Sequence, residues 1–258
     1  MALTQNPGAS APEISIIIPA YNEEKRLDRT LARIREYLDT AQPRQLKAEI
    51  IVVNDGSTDA TAEITRRWMQ VIPYLRLVEN PGNRGKGYSV RYGMLEAHGN
   101  VALFTDADLS SPIEESQKLL AAINAGNDVA IGSRAVDRSL ITVHQSRFRE
   151  LAGMIFNGFV RLITGLRFHD TQCGFKAFVR ERSRIVFEQQ RVEGFGFDPE
   201  VLFLAQRHGL RSAEVPVRWA HDEATRVHVF SDSLKMFGDL LVIRWNALIG
   251  RYPTRPPR

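Results

Sequence analysis

The chain has 258 residues, 43% of them hydrophobic and 25% charged, with a formal net charge of +4 and a single cysteine, Cys173. That is enough chain for one α/β domain with a substantial core, and its small positive excess requires no nucleic-acid partner but suits phosphate-bearing ligands or an anionic membrane surface. One cysteine rules out an intramolecular disulfide and fits a reducing compartment.

The opening "MALTQNPGASAPE" has neither the basic nor the apolar region of a signal peptide. Residues 1–12 are expected to be disordered, ahead of a folded domain over 13–228. Short apolar runs then alternate with helical patterns. "ISIII" (14–18), "EIIVV" (49–53), "LRLV" (75–78), "VALFT" (101–105) and "DVAIG" (128–132) read as strands buried on both faces. Between the first two, Leu27, Leu31, Ile34 and Leu38 form one helical stripe, and residues 59–70, 86–98 and 112–125 read as further helices. Strand–helix–strand units of this length imply an α/β fold, a mostly parallel sheet with helices on both faces. Ligands of such sheets bind beyond the carboxyl ends of the strands. The polar clusters "PAYNEE", "NDGSTD", "DADLSS" and "GSR" fall at those ends.

After residue 133 the pattern changes. "VDRSLITVHQS" reads as a loop and "RFRELAGMIFNGFVRLITG" as a long apolar helix, while "DTQCGFKAF" leads into a short strand. "FDPEVLFLAQRHG" reads as a helix, "SAEVPVRW" as a strand, and 231–249 as a final amphipathic helix within a segment, 229–250, that suits a membrane surface. The Pro/Arg-rich tail, 251–258, is expected to be disordered. The most apolar stretch, 151–168, is interrupted by Asn157 and Arg161, so nothing here spans a bilayer. The chain is expected to be cytoplasmic, lying on a membrane without crossing it.

Asp106 and Asp108 stand two apart at the end of an apolar run, so on a regular strand they share a face. Two carboxylates this close repel unless a cation lies between them. Hard oxygen ligands suit Mg²⁺ or Mn²⁺, with other positions left for phosphate and water. A solvated turn and helix start is the competing explanation; Ser111, Pro112 and Glu114 do form a capping signal, but capping leaves both aspartates unexplained. Asp55 suits either hydrogen bonding to a base or ribose, or a plain turn; for Gly56, Ser57 and Thr58 the turn is the better reading. In "NRGKG" (83–87) the glycines admit phosphate to the backbone and Lys86 adds charge. Arg134 and Arg147 carry the guanidinium forks that grip phosphate. Cys173 lies near His169, but no pattern makes that histidine its base.

"SIIIPAYNEEKRL", "VVNDGSTDAT", "NRGKGYSVRYGM" and "TDADLSSP", in that order, resemble the inverting glycosyltransferases of family 2, which have the glycosyltransferase A fold. The resemblance covers about residues 13–252. "GSRA", "QSRFRELAG", "DTQCGFKAF", "FDPEVL", "EVPVRW" and "DLLVIRWNALIGRYP" are similar to the dolichyl-phosphate β-glucosyltransferases and their prokaryotic polyprenyl-phosphate relatives. Mannose synthases resemble it less: they carry Gly-Glu-Ser-Lys-Leu where this chain has "DEATRV", and often a glutamine where it has Ser110. The eukaryotic glucosyltransferases carry an N-terminal membrane anchor that this sequence lacks, which suggests a prokaryotic or truncated version.

The resemblance implies transfer of glucose from UDP-glucose to a polyprenyl phosphate with inversion, at a peripheral membrane site on the cytoplasmic face. It implies that Pro19, Tyr21, Glu23 and Asp55 line the uridine site, that Lys86 approaches the nucleotide, and that Asp106 and Asp108 hold Mg²⁺ or Mn²⁺ with the diphosphate. It implies further that Arg134 and Arg147 grip the lipid phosphate, that Arg226 lies on a mobile basic loop, and that Asp170 and Asp198 stand near the reaction centre. The alternatives are a GDP-mannose-dependent lipid mannosyltransferase and a non-catalytic nucleotide-sugar-binding module.

Overall fold

The computed structural model describes residues 12–40, 46–221 and 229–253, with the backbone alone for Arg147 and residues 229–232. The first half runs β1 (Ile14–Ala20), α1 (Leu27–Thr40), β2 (Ala48–Asn54), α2 (Thr61–Met69), β3 (Leu75–Glu79), α3 (Lys86–Glu96), β4 (Val101–Thr105), α4 (Ser116–Asn124) and β5 (Val129–Ser133). The second half adds β6 (Ile141–Val143), α5 (Arg147–Thr164), β7 (Phe175–Val179), α6 (Arg180–Gln189), α7 (Phe197–Arg207), β8 (Ser212–Pro216), β9 (Trp219–Ala220) and α8 (Val229–Leu248).

Seven strands form one sheet in the order β3-β2-β1-β4-β7-β5-β8. All neighbours pair parallel except β7, which runs antiparallel to both β4 and β5. The sequence expectation of a mostly parallel sheet with helices on both faces therefore holds. One apolar layer joins alternate β1 residues, Ile14, Ile16 and Ile18, to the stripes of α1, α2 and α4. The other joins Ile17, Ile51 and Val53 to α3 and α5–α8. Strands covered on both faces are apolar at nearly every position, which is why these runs do not alternate; among the buried polar exceptions, Ser15 Oγ donates to the Glu49 carboxylate at 2.6 Å.

The reversed strand matters for the site. Thr105 of β4 pairs with Phe175 of β7, so the start of β7 lies beside the end of β4. "DTQCG", which precedes β7 in sequence, is thereby delivered to the same edge as the polar ends of the parallel strands.

Four expectations need correction. The stretch read as a loop contains β6, which pairs with β9 in a second, two-stranded sheet. "SAEVPVRW" is two strands, β8 and β9, in different sheets. Helix α6, absent from the sequence reading, buries only Ser183, Val186 and Phe187, a stripe too narrow to stand out in "RERSRIVFEQ". Tyr252, assigned to a disordered tail, is fully buried, beside a final helix whose Met236, Leu240 and Ile243 belong to the core. Full burial of such side chains is worth about 1.5–3 kcal/mol each.

Candidate active site

The loops after β1 and β2 are bolted together. Asn22 adopts a left-handed conformation, φ 53°, which asparagine tolerates better than most residues. Its amide nitrogen donates to Ser57 Oγ at 2.9 Å, its side-chain oxygen accepts from the Thr58 amide at 2.7 Å, and the Glu23 amide donates to Thr61 Oγ1 at 2.7 Å. Tyr21 stands exposed at the rim, and Pro19 sits at the end of β1 beside Val53. Glu23 accepts from Arg26 at 2.8 Å, and Arg26 lies 3.9 Å from Asp108, so this arginine bridges the first loop to the acidic pair.

Asp55 is buried, and its carboxylate faces inward. It accepts from Asn80 Nδ2 at 2.7 Å and from the amides of Arg84 and Gly85 at 2.8 Å each. Its observed work is to hold the glycine loop that carries Lys86. Asn54 and Gly56 form the turn expected of them, with the Ser57 amide donating to Asn54 Oδ1 at 3.0 Å.

Lys86 extends to Asp106, Nζ to Oδ1 2.6 Å. Burial alone would lower its pKa, but the charges of Asp106 and Asp198 hold it above the usual lysine range. Asp106 also presses on the backbone across the sheet. A Cβ on Gly174 would lie 2.1 Å from Asp106 Oδ2, so a larger residue there would displace the carboxylate. Asp108 is pushed up by burial and by the neighbouring Asp106 charge, although its carboxylate accepts from the Ser110 amide at 2.8 Å. Leu109, next in line, has φ 50°. Strain of this kind gathers at functional sites.

Two neighbouring carboxylates, with a lysine on one of them and the ionisation of Asp108 disfavoured, form a site that a further cation would suit. The oxygen donors fit a small divalent cation that takes one or two carboxylates and leaves positions for diphosphate oxygens. Among the described residues no group of three or more acidic, histidine or cysteine side chains comes together to form a closed cage.

Behind Lys86 lies a buried ion pair. Lys176, wholly buried on β7, contacts Asp198 in the first turn of α7 and donates to the Cys173 carbonyl at 2.7 Å. Burial pushes Asp198 up, against the pull of Lys176 and Lys86. Breaking such a pair by removing one partner costs about 3–5 kcal/mol.

Past the end of β5, Arg134 is clamped by Asp170. Nε donates to Oδ2 at 2.6 Å and Nη2 to Oδ1 at 2.9 Å, and the Arg134 amide donates to Oδ2 at 3.0 Å. Burial would raise Asp170, but Arg134 overrides it and brings the carboxyl down to about 2. Arg134 lies over the Trp219 ring at 5.4 Å and also feels the Asp106 charge. Glu214 holds the Asp170 segment, accepting from the Asp170 amide at 2.8 Å and from Ser133 Oγ at 2.7 Å. Asp170 thus occupies the Nε–Nη2 edge of the guanidinium. Arg147 opens α5, behind the cap Ser146, and Arg226 lies outside the described residues. Burial, then the Asp170 charge, pushes the Cys173 thiol up to about 11, which suits a packed residue and not a nucleophile.

The structure thus brings Lys86, Asp106, Asp108, Arg134, Asp170 and Asp198 into one charged cluster, with Glu23 joined to it by Arg26. Sequence reasoning missed Arg26, Lys176 and Glu214. For Lys176 a signal existed: a lysine inside "GFKAF" breaks an apolar strand, and a buried cation needs an anion.

Residues 15–182 match the glycosyl transferase family 2 domain. A dolichyl-phosphate beta-glucosyltransferase of Trichomonas vaginalis is 38% identical over 240 residues, 89% of this chain and 70% of that protein. The Homo sapiens dolichyl-phosphate beta-glucosyltransferase is 34% identical over 256 residues, 95% of this chain and 79% of that protein. Among solved structures, glucosyl-3-phosphoglycerate synthase from Mycobacterium tuberculosis, in complex with Mn²⁺, UDP and glucosyl-3-phosphoglycerate, superposes with a TM-score of 0.63 at 19% identity, over 98% of this chain and 88% of that one. At that identity the match concerns the fold, which is the glycosyltransferase A arrangement expected from the sequence.

Proposed function

The chain belongs to glycosyl transferase family 2, and on that premise we propose that it transfers glucose from UDP-glucose to a polyprenyl phosphate of the dolichyl type, with inversion, releasing UDP. The observation that carries this is the placement of two charge clusters near each other: Lys86 with Asp106 and Asp108, and Arg134, which feels the Asp106 charge, braced by Asp170. The names of the relatives supply the lipid acceptor and the β linkage. An α-linked nucleotide sugar is the donor from which one inversion gives a β product.

The residues divide the work. Asp106 and Asp108 would hold Mg²⁺ or Mn²⁺, whose charge offsets the negative charge gathering on the departing diphosphate. Lys86 meets the same diphosphate and is released from Asp106 to do so. The loops after β1 and β2 shape the uridine end, with Tyr21 at its rim. Arg134 presents the outer edge of its guanidinium to the acceptor phosphate, and Asp170 fixes that edge in direction. The acceptor oxygen needs no strong general base, since a phosphate monoester has its second pKa at about 6. Arg147 and Arg226 are assigned to the same phosphate.

A lipid acceptor must be met at a membrane. No helix among the described residues is long and apolar enough to cross one. Instead α5 exposes Phe148 and Leu162, at 65% and 80%, and α8 exposes Leu234, Trp245 and Leu248, at 72%, 61% and 68%. The two helices join through Phe159 and Phe237, ring centroids 5.3 Å apart. Exposed Arg161, Arg167, Lys235 and Arg244 lie on or near these helices and have no carboxylate partner among the described residues. An apolar face with tryptophan and unpaired cations is the pattern of an interfacial seat on anionic lipid.

The test supplies radiolabelled UDP-glucose or GDP-mannose, Mg²⁺ or Mn²⁺, and a polyprenyl phosphate in vesicles, followed by extraction into organic solvent. Label in the lipid phase from UDP-glucose alone supports the reading. Label from GDP-mannose, or none from either, overturns it.

A further inference from the structure

The glycine loop that carries Lys86 is held from two sides. Asp55 grips it from the strand side. From the other side comes the connection between α6 and α7, residues 190–196. The Tyr88 amide donates to the Glu193 carbonyl at 3.1 Å, Gln190 Nε2 donates to the Gly87 carbonyl at 2.8 Å, and Arg84 pairs with the Glu193 carboxylate at 2.7 Å. The contact is backbone on backbone. A Cβ on Gly85 would lie 2.6 Å from the Glu193 carbonyl oxygen, and one on Gly87 2.6 Å from that of Val192. Neither segment can shift without the other.

The 190–196 connection is in turn fixed by Glu200, a carboxylate with no exposed surface. Glu200 accepts from the amides of Arg191, at 3.0 Å, and Val192, at 2.8 Å. Its remaining donor is the Tyr252 hydroxyl, at 2.5 Å, from the chain just past the end of α8. Tyr252 is itself fully buried, and its carbonyl accepts from Arg207 Nε at 3.1 Å. Gln190 adds a second sign that geometry outranks packing here. Its Oε1 is buried without a partner while its Nε2 serves the Gly87 and Val192 carbonyls. A side chain present only to fill the core would not keep an orphaned amide oxygen.

We propose that Glu200 and Tyr252 are positioning residues of the donor site: their hydrogen bond sets the 190–196 connection, which through its backbone contact sets the glycine loop and the reach of Lys86. This rests on the assignment of Lys86 to the donor diphosphate. Neither residue touches the reacting atoms. Their effect falls on nucleotide binding and spares the acceptor clamp, which hangs on Arg134 and Asp170.

Tyr252→Phe keeps the ring and deletes one hydrogen bond. Two measurements are made on the full chain: amide hydrogen exchange of residues 84–89 without ligand, and the Kd for UDP with Mn²⁺ by calorimetry, beside the KM for polyprenyl phosphate. The variant is expected to exchange about tenfold faster over 84–89 and to bind UDP about five- to tenfold more weakly, with acceptor KM unchanged. A lower melting temperature with wild-type exchange at 84–89 and wild-type UDP affinity would show a purely structural bond and overturn the proposal. Equal losses for nucleotide and acceptor would overturn it as well. A wild-type chain that binds no UDP sinks the nucleotide assignment instead, and the ligand-free exchange separates the two failures. Should Tyr252→Phe not fold, Gln190→Met breaks the Gly87 contact in the same connection and carries the same expectations.

Discussion

The donor half and the acceptor half of the site are built in different ways. The donor half is assembled from short loops at the ends of β1, β2 and β4, and its anchors are hydrogen bonds between neighbouring loops, such as Asn22 to Ser57 and Asp55 to Gly85. The acceptor half depends on a charged clamp. Asp170 grips Arg134 at both Nε and Nη2, and its own backbone amide is held by Glu214. This half also adjoins a broad apolar face on α5 and α8, whereas Arg33 of α1 and Arg67 of α2 pair with Glu36 and Asp28. On the proposed assignment, one half recognises a soluble nucleotide and the other a phosphate tethered to a bilayer.

Several variants can break that division. The largest effect is expected from Asp108→Asn, which should lower kcat for glucosyl transfer by about 10²–10³; chelation should mimic it and added Mn²⁺ should reverse only the chelation. The labelled-lipid assay reads both, and an Asp108→Asn enzyme near wild-type rate would end the metal assignment.

Asp170→Asn comes next. It leaves Arg134 without its clamp, so stability should fall by about 3 kcal/mol and acceptor KM should rise at least tenfold, with UDP affinity held. Denaturant unfolding and calorimetry check the two parts, and a loss of UDP binding would mean that the halves are not separate.

Acid sharpens the same point. Asp170 is held down at about 2, against about 3.9 when unfolded. A depressed carboxyl stabilises the fold above its unfolded pKa, and the contribution drains away as pH falls through the folded value. The clamp should therefore give up about 2 kcal/mol between pH 4 and pH 2. The stability gap between wild type and Asp170→Asn, followed by unfolding across that window, should narrow as the pH drops. A constant gap would contradict the pairing.

The smallest effect is expected at the membrane face. Trp245→Asp should weaken binding to anionic vesicles about tenfold and leave UDP affinity in solution unchanged. Truncation of the helix is not a fair test, because Leu240 and Ile243 lie in the core.

How much of this was legible in the sequence follows the same division. The strands and the polar ends of β1, β2, β4 and β5 could be read directly, because each cluster is contiguous and ends a predominantly apolar run. The Asp106–Asp108 pair announced itself by charge repulsion. The reversal of β7 could not be read, since nothing in "GFKAF" encodes strand direction; that reversal is what brings Lys176 and Gly174 to the site. Asp55 was visible as a strand-end acid, but its choice of the Arg84 and Gly85 amides over solvent depends on how the glycine loop folds back. Tyr252 was hidden by the Pro/Arg-rich company it keeps, and its burial depends on Phe203 and Glu200, about fifty residues away in sequence.

The most direct test of the central claim, that cations seated at the end of β4 let two anions meet, is a crystal of the protein soaked with UDP and Mn²⁺ and measured for anomalous scattering. The account predicts one manganese peak within about 2.2 Å of the Asp106 or Asp108 carboxylate oxygens, bridging to the diphosphate, with Lys86 moved off Asp106 and onto a phosphate oxygen. A manganese ion seated elsewhere, or UDP bound with the Lys86–Asp106 pair intact, would contradict it.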